Sequence, residues 1–263
     1  MLTLAEDRDR RRPLLDRLAS LRLEHQLFFG VDGREGLPAE YEPMVDRSAR
    51  IERTRRPMTN GEYACALSHL LLYRRIVESG LPRAIVLEDD ALVGTALAAF
   101  ARGELRIPGE LVLLDHSNGS FHRRGRIRVA PDRHAYPIAV APHLTTGYAL
   151  TVGAARHFLD RGLPVRKRAD WPCEIDRMES YAVHPRLVGH VDPETGPSLL
   201  RDERRLAREA HAQAHAQAHA QADGGSSQPA RRSRLDPAYW IRWWHKRRHS
   251  RLDDSVLLDG SPG

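Results

Sequence analysis

The sequence predicts an α/β protein in which helices flank a mixed, mostly parallel sheet. Two short runs, residues 84–87 and 111–114, are entirely apolar and rich in β-formers, as expected of strands covered on both faces. Segments with helical spacing of apolar residues alternate with such runs over roughly the first 200 residues. Because strands that alternate with helices favour parallel connections, we expect a largely parallel sheet.

The first part of the chain predicts two helices and a short strand. Residues 4–23 carry leucines at amphipathic spacing, and residues 28–31 predict a strand. Thr59 followed by Glu62 matches a capping box, after which apolar residues continue at helical spacing. Gly80 then supplies the helix stop.

A third strand and a further helix follow the two apolar runs. Residues 148–152 predict the strand, and residues 154–161 predict a helix that ends at Gly162. The chain has 263 residues, of which 41% are apolar, so it is long enough to bury a large core.

The composition changes beyond residue 200. We expect a folded domain over residues 1–200, a low-complexity Ala/His/Gln linker over 201–229 and a basic, tryptophan-rich tail over 230–263. The repeat spaces three histidines four residues apart, on one face of a helix, which is also a metal-ligand spacing. Since no carboxylate or cysteine completes such a site, a linker is the favoured interpretation.

The distribution of charge and cysteine excludes several classes of protein. The formal net charge is +6, but residues 229–251 hold eight Lys or Arg and one acid, so the remainder carries −1. A nucleic-acid footprint over the body is therefore not expected. No signal-peptide core or run of about 20 apolar residues is present, and two cysteines cannot form a disulfide framework. We expect a cytoplasmic protein.

Three adjacent acids, Glu88, Asp89 and Asp90, directly follow the apolar run 84–87. In open α/β sheets ligands bind at the carboxyl ends of strands. Glu88 and Asp90 would project to one side and hold a divalent cation that in turn holds a diphosphate, while Asp89 points to backbone or a basic neighbour. The alternative is an acidic turn that caps a helix starting near Ala91.

Other polar residues are placed less decisively. Asp115 and His116 end the second apolar run at the crevice side, where they would meet a bound ligand, and a surface turn is equally consistent with the pattern. His184 and His190 are candidates for a late metal ligand, although a lone histidine more often has a structural part.

Several segments together resemble the signature of glycosyltransferase family 25, which includes lipooligosaccharide and collagen galactosyltransferases. The strongest are GEYACALSHL at residues 61–70, IVESGLP at 76–82 and IVLEDD at 85–90. TGYAL at residues 146–150 and PRLV at 185–188 are similar to later segments of the family. The likeness extends over roughly residues 1–200.

The resemblance implies a GT-A-like fold, a nucleotide-sugar donor such as UDP-galactose, and a glycan or glycolipid acceptor. It also implies inversion at the anomeric carbon and a divalent cation, Mn²⁺ or Mg²⁺, held by Glu88, Asp89 and Asp90. An inverting transfer further needs a carboxylate that deprotonates the acceptor hydroxyl. The candidates for this base are Asp115, Asp170, Glu174 and Asp176.

Asp170 is the favoured base, because the family carries an acid after its Gly-Tyr-Ala segment. Trp171 beside it would stack on a sugar ring, while the alternative for Asp170 is a turn acid before Pro172. The resemblance also assigns substrate-binding positions to Ser68, His69, Gly147 and Tyr148. Residue chemistry alone would favour a buried, structural role for His69.

The tail, residues 236–251, predicts a helix whose tryptophans are surrounded by arginines. This composition suits the surface of an anionic membrane, and we expect attachment to the inner face of the plasma membrane. Stacking on single-stranded nucleic acid and packing against the domain are the alternatives.

The sequence therefore predicts a metal-assisted, inverting glycosyltransferase that adds a hexose, galactose, to a cell-surface glycolipid or oligosaccharide. The alternative is a catalytically inactive sugar-nucleotide-binding or assembly protein, an idea motivated by the shortness of the first strand, residues 1–4.

Overall fold

The computed structural model describes residues 1–51, 56–191, 201–221 and 249–252. Its helices are α1 (Arg8–Ser20), α2 (Asn60–Ser79), α3 (Thr95–Ala101), α4 (Val152–Gly162) and α5 (Arg201–Gln221), with 3₁₀ turns at Ala39–Met44 and Ile175–Arg177. Its strands are β1 (Leu2–Thr3), β2 (Phe28–Phe29), β3 (Arg83–Leu87), β4 (Ala91–Val93), β5 (Leu111–Leu113), β6 (Ser120–His122), β7 (Ile127–Ala130), β8 (Arg133–Val140), β9 (Gly147–Thr151), β10 (Ser180–His184), β11 (Val188–His190) and β12 (His249–Ser250).

A mixed sheet forms the centre of the protein, with the order β12-β6-β8-β10-β5-β9-β3 and β7 paired to β8. Among its described pairs, β5 and β10 run parallel and the remaining pairs run antiparallel. The expectation of a mostly parallel sheet is therefore wrong. An apolar run indicates that a strand is buried on both faces, but it does not indicate whether the neighbouring strand runs parallel or antiparallel to it.

The antiparallel strand β9 explains how this sheet still presents strand ends at one edge. β9 lies between β3 and β5 and runs opposite to both, so β3 and β5 share a direction without touching. β10 runs parallel to β5 on its other side. The carboxyl ends of these three strands consequently meet at the same edge, together with the beginning of β9.

Helices cover both faces of the sheet. Leu111 and Leu113 of β5 belong to a core cluster that includes residues of α2 and α4, whereas Val112 faces a second cluster with residues of α1 and α3. All three side chains are fully buried. The alternation follows from the pleat of the strand, and it confirms the prediction of strands covered on both faces.

The local signals around α2 are confirmed. The Thr59 side chain accepts a hydrogen bond from the Glu62 amide, and the Glu62 carboxylate accepts one from the Thr59 amide. Such a cap contributes about 1 kcal/mol. Gly80 ends the helix at φ +68°, in the left-handed region that glycine adopts without steric cost.

The amino terminus and the acidic residues lie side by side. β1 pairs in parallel with β2, and Leu2 also forms a parallel bridge with Glu88. Residues 91–93 form strand β4, paired with β11, and α3 begins only at Thr95. The alternative of an acidic turn capping a helix near Ala91 is therefore wrong.

The structure beyond residue 200 consists of α5 and the short strand β12. α5 falls within the segment expected to be a linker, and β12 pairs with β6 at the edge of the sheet. The predicted tail helix lies almost wholly outside the described residues. Within the described part of the chain, no helix combines the length and the hydropathy needed to cross a bilayer.

Candidate active site

A cleft of about 390 Å³ opens at the edge where β3 ends and β9 begins. One wall is formed by β1 and the first half of α2, and another by residues 144–146 and 168–170. The acidic residues line it, and the first turn of α5 contributes Glu203 and Arg204 to its rim.

Glu88 is held firmly at this cleft. Its Oε1 accepts hydrogen bonds from Thr145 Oγ1 at 2.5 Å and from His69 Nε2 at 3.1 Å. Burial favours the protonated acid, but these hydrogen bonds keep the pKa of Glu88 below its usual value. The carboxylate is therefore charged at neutral pH.

His69 connects Glu88 to the core. Its Nδ1 lies 2.8 Å from the hydroxyl of Tyr148, which is 3.1 Å from that of Tyr73. His69 and Tyr148 are buried, so they orient Glu88 from beneath and do not line the cleft. The substrate-binding role predicted for His69 and Tyr148 stays a prediction, and it would have to act through Glu88.

Asp89 and Asp90 share one guanidinium. Arg10 Nε lies 2.6 Å from Asp89 Oδ1, and Arg10 Nη2 lies 2.7 Å from Asp90 Oδ2. Thr3 Oγ1 donates to the other oxygen of Asp89 at 2.8 Å. Both oxygens of Asp89 thus have donors, as expected of a residue that points to a basic neighbour.

Asp90 is the less satisfied of the two. Its Oδ1 is buried and has no hydrogen-bond partner among the described residues. Burial, reinforced by the charge of Glu88, raises the pKa of Asp90 to about 6.

The oxygen atoms at the acidic motif fit a hard divalent cation. A buried carboxylate oxygen without a donor is one that a cation would satisfy, and Glu88 lines the same cleft. The described residues contain no cluster of three or more His, Cys, Asp or Glu suited to a metal.

Asp170 lines the cleft beside this motif. Its Oδ1 accepts a hydrogen bond from the Leu144 amide at 3.4 Å, and its Oδ2 lies 3.5 Å from Arg168 and 3.6 Å from His143. Burial alone would raise the pKa of Asp170, but these neighbours hold it below its usual value. Of the four candidate bases, Asp170 is the one that faces the cleft.

Leu144 and Thr145 place Glu88 and Asp170 on either side of one short segment. The Leu144 amide binds Asp170, and the next residue, Thr145, binds Glu88. The backbone of Leu144 has φ +83°, a conformation that is unfavourable for residues other than glycine. Such strained positions concentrate at functional sites, where the surrounding structure enforces them.

Asp115 lies behind the wall of the cleft. It is fully buried and pairs with Arg186 at 2.7 Å and with His190 Nδ1 at 2.8 Å. This hydrogen bond raises the pKa of His190, which itself lines the cleft. His116 is buried as well, and desolvation lowers its pKa to about 4. Asp115 therefore orients His190 and does not itself line the cleft.

The remaining predicted positions support the site from the core. Ser68 lines the cleft, but its Oγ accepts from the Val31 amide and donates to the Ala64 carbonyl. Gly147 is buried, and a Cβ there would lie 2.8 Å from Val188. Trp171 is 6% exposed.

Trp171 requires a correction. Its Nε1 donates to the Pro142 carbonyl at 2.8 Å, and its ring packs against Tyr148 and Phe158. The ring has no face on the cleft and is not available for stacking on a sugar. The aromatic ring that suggested stacking on a sugar is packed in the hydrophobic core.

Several residues at the cleft were not predicted, notably Arg10, Thr3 and Thr145. Arg10 belongs to an arginine-rich stretch in α1, and nothing in that stretch distinguishes it from its neighbours. Its pairing with acids 79 and 80 residues away depends on how α1 packs.

Comparison with known proteins gives a consistent result. The model of "Glycosyltransferase family 25 (LPS biosynthesis protein)" matches residues 1–176. A putative glycosyltransferase of Haemophilus influenzae is 24% identical over 61% of this chain and 56% of its own length. The lacto-N-neotetraose biosynthesis glycosyltransferase LgtE of Neisseria gonorrhoeae is 27% identical over 49% of this chain and 52% of its own length.

A third relative differs in its description. A probable inactive glycosyltransferase 25 family member 3 of Bos taurus is 26% identical over 70% of this chain and 33% of its own length. The chain spans about half the length of the bacterial relatives described above.

Proposed function

The chain belongs to glycosyltransferase family 25, and on this premise we propose that it transfers a hexose from a nucleotide sugar to a glycan or glycolipid of the cell surface. Galactose, delivered as UDP-galactose, is the proposed donor sugar. Relatives named for lacto-N-neotetraose and LPS biosynthesis support an oligosaccharide acceptor.

The observation that carries this proposal is the pair of carboxylates held by consecutive residues. Glu88 is bound by Thr145 and Asp170 by Leu144, so two charged acids flank one strained segment at the cleft. An inverting transfer needs charge neutralisation at the leaving diphosphate and a base at the acceptor hydroxyl. Two separate acidic centres in one cleft match this requirement.

Glu88 and Asp90 would hold the divalent cation, Mn²⁺ or Mg²⁺, with Asp89 bound to Arg10 beside them. When bound, such a cation supplies neutralisation of charge on the departing diphosphate. Arg10 adds a fixed positive charge at the same place. His69 and Thr145 keep Glu88 ionised and correctly oriented.

Asp170 would accept the proton of the acceptor hydroxyl. Its lowered pKa keeps it ionised at neutral pH, which is the state in which it can accept a proton. Because inversion is a single displacement, no covalent sugar–enzyme intermediate is needed. The lining arginine Arg168 fixes the carboxylate of Asp170.

The experiment that tests the proposal is transfer or hydrolysis of UDP-galactose with added Mn²⁺. We expect the D170N variant to lose at least about 100-fold in rate, a typical effect for a lost acid–base group. The D90N variant, which removes a proposed cation ligand, should also lose activity. D132N, which changes an exposed aspartate in the turn between β7 and β8, is the matched control and should retain full activity. Equal rates in D170N and D132N would exclude Asp170 as the base.

A catalytically inactive protein is the second candidate, and one observation favours it. The guanidinium of Arg10 already pairs with two of the three acids, and one relative is described as inactive. Stabilisation by UDP-galactose in a thermal-shift assay without any turnover would support this candidate.

The attachment of residues 236–251 to an anionic membrane at the cytoplasmic face remains part of the proposal. Pairing of β12 with β6 fixes the end of this segment to the domain, which also suits the alternative of packing against it. Salt-sensitive sedimentation with anionic vesicles, and none with neutral vesicles, is the expected result.

A further inference from the structure

A second cavity, the basic pocket, adjoins the candidate active site. Its volume is about 190 Å³, and its walls are the middle of α2, the end of α4 and residues 164–169. Arg168 and Ala169 line this pocket and also line the cleft. These two residues therefore form a wall that the pocket and the cleft share.

The charged rim of the basic pocket is cationic. Four cations line it, Arg161, Arg166, Lys167 and Arg168, and no Asp or Glu of the described residues does so. Residues 166–168 follow one another in the chain, and Arg161 comes from the last turn of α4. A concave surface with one sign of charge concentrates ions of the opposite sign, so this rim attracts anions.

The acids that pair with these cations lie outside the pocket and hold them weakly. Arg166 pairs with Asp46 at 3.0 Å, and Lys167 lies 3.9 Å from Glu174. Glu174 also lies 4.0 Å from Arg177, so one acid serves two cations. The side chains of Arg166 and Lys167 are 63% and 53% exposed, and exposed pairs of this kind contribute little to stability. Both cations can therefore turn to a ligand.

Arg161 is a cation without an acid partner. It is exposed, and no hydrogen bond or ion pair joins its side chain to another residue in the described part of the chain. The next residue, Gly162, packs so closely on Leu70 that a Cβ there would clash with it. This contact holds the end of α4 against α2 and keeps Arg161 at the rim. A planar guanidinium in this state suits a phosphate or a carboxylate.

The floor of the basic pocket is largely apolar. Leu70, Val165 and Pro172 line it, together with the rings of Tyr73 and His69. The polar atoms of those two rings are bonded within the core and the active site. Pockets for small molecules combine such apolar walls with a few polar groups that fix orientation. A sugar ring has apolar C–H faces, so a sugar that carries an anionic group fits this pocket better than a small inorganic anion.

The shared wall places the basic pocket beside the proposed base. Arg168 Nη2 lies 3.5 Å from Asp170 Oδ2, and Asp170 follows Ala169 in the chain. Asp170 lines the cleft, where the reacting hydroxyl of the acceptor would lie. The donor diphosphate, in contrast, is assigned to the acidic motif. The pocket is therefore on the side of the acceptor.

We propose that the basic pocket is an acceptor subsite, which binds a sugar of the acceptor glycan that carries a phosphate or a carboxylate. Arg161 and the cations at 166–168 bind the anionic group, and the sugar ring lies on the apolar floor. That this sugar belongs to an acceptor rests on the proposed function. The site for an anionic sugar rests on the lining of the pocket and on its charges alone.

Isothermal titration calorimetry with three sugars tests the pocket: glucose 6-phosphate, glucuronate and glucose. The two anionic sugars should bind the unmodified protein more tightly than glucose, and the tighter of the two identifies the anionic group. R161E should weaken their binding about fivefold or more, because it replaces an attraction by a repulsion, and R161Q should have an intermediate effect. The matched control is R156E, which changes an exposed arginine of α4 that does not line the pocket and should bind as the unmodified protein does.

Competition with UDP separates the basic pocket from the cleft. Saturating UDP should leave the binding of glucose 6-phosphate in place, since donor and acceptor occupy different sites. Displacement by UDP, together with unchanged binding in R161E, would mean that the sugar phosphate enters the cleft, and this outcome would overturn the inference. Equal affinity for all three sugars, or equal weakening in R161E and R156E, would also overturn it.

Turnover of UDP-galactose with Mn²⁺, measured on the unmodified protein, distinguishes this inference from the proposed function. If anionic sugars bind in a way that depends on Arg161 but UDP-galactose is neither transferred nor hydrolysed, the anionic-sugar site stands and the proposed function fails. If UDP-galactose is turned over but no anionic sugar binds, the proposed function stands and the subsite fails. Absence of both turnover and binding contradicts both.

Discussion

Replacement of Arg10 by glutamine tests how the acidic motif is neutralised. Arg10 bonds Asp89 at 2.6 Å and Asp90 at 2.7 Å, and the three side chains are 19%, 9% and 25% exposed. Breaking a fully buried ion pair costs about 3–5 kcal/mol, whereas an exposed pair contributes about 0–1 kcal/mol. Thr3 still binds Asp89 in the variant. We therefore expect R10Q to lower the free energy of unfolding by about 2 kcal/mol.

The matched control lies on the same helix. Arg12 pairs with Asp9, and these side chains are 69% and 92% exposed, so R12Q should cost less than about 0.5 kcal/mol. Urea unfolding, monitored by circular dichroism, measures the stability of both variants. The comparison requires that the free energy of unfolding depend on urea concentration with the same slope (m-value) in each protein. Equal losses of stability in R10Q and R12Q would refute the idea that burial makes the Arg10 bridge strong.

Addition of Mn²⁺ extends this experiment to the cation. Without the guanidinium, Glu88, Asp89 and Asp90 have one positive charge fewer, so Mn²⁺ should bind R10Q more tightly than the unmodified protein. Ligand binding raises the free energy of unfolding, by about 2.7 kcal/mol at a concentration 100-fold above Kd. A larger Mn²⁺-induced gain in R10Q than in R12Q is expected. If Mn²⁺ stabilises neither protein, the acidic motif is not a cation site.

Two further predictions concern stability. The pKa of His190 is raised by its hydrogen bond to Asp115, so its stabilising contribution is complete below about pH 6.5 and is lost as the pH rises through the folded-state pKa. The difference in unfolding free energy between the unmodified protein and H190Q should thus be larger at pH 6 than at pH 9; equal differences would contradict this. G147A should lose about 1–3 kcal/mol, because the new Cβ would lie 2.8 Å from Val188. Gly153 lies in α4, and a Cβ there would have no neighbouring atom closer than 3.7 Å. G153A should therefore be as stable as the unmodified protein or more stable by up to about 1 kcal/mol. Thermal unfolding checks both variants.

The sequence predicted most of the elements that build the cleft. The capping box of α2 and its glycine stop occur as expected, since both depend on residues only a few positions apart. The strands β3, β5 and β9 lie within a residue or two of their predicted bounds. The direction of strand pairing was mispredicted, because the hydrophobic pattern of a buried strand is the same beside a parallel or an antiparallel neighbour.

The candidate site was predicted only in part, because the sequence does not specify the direction in which a side chain points. Glu88 and Asp170 line the cleft as expected, whereas Asp115 and Trp171 are buried behind it. A residue type in a strand-end position indicates which chemistry is available. It does not indicate whether the side chain turns to the cleft or to the core, since that choice depends on partners such as Arg186, far away in sequence.

The amino-acid sequence alone determined the local structure: the caps, the buried strands and the acidic triplet at the end of one of them. Only the tertiary structure decided which positive charge meets those acids, because Arg10 approaches from α1, a helix distant in sequence. Local signals act over a few residues through backbone hydrogen bonds and side-chain periodicity. Electrostatic partners at a cleft are set by how separate elements pack, and that packing minimises the free energy of the whole chain.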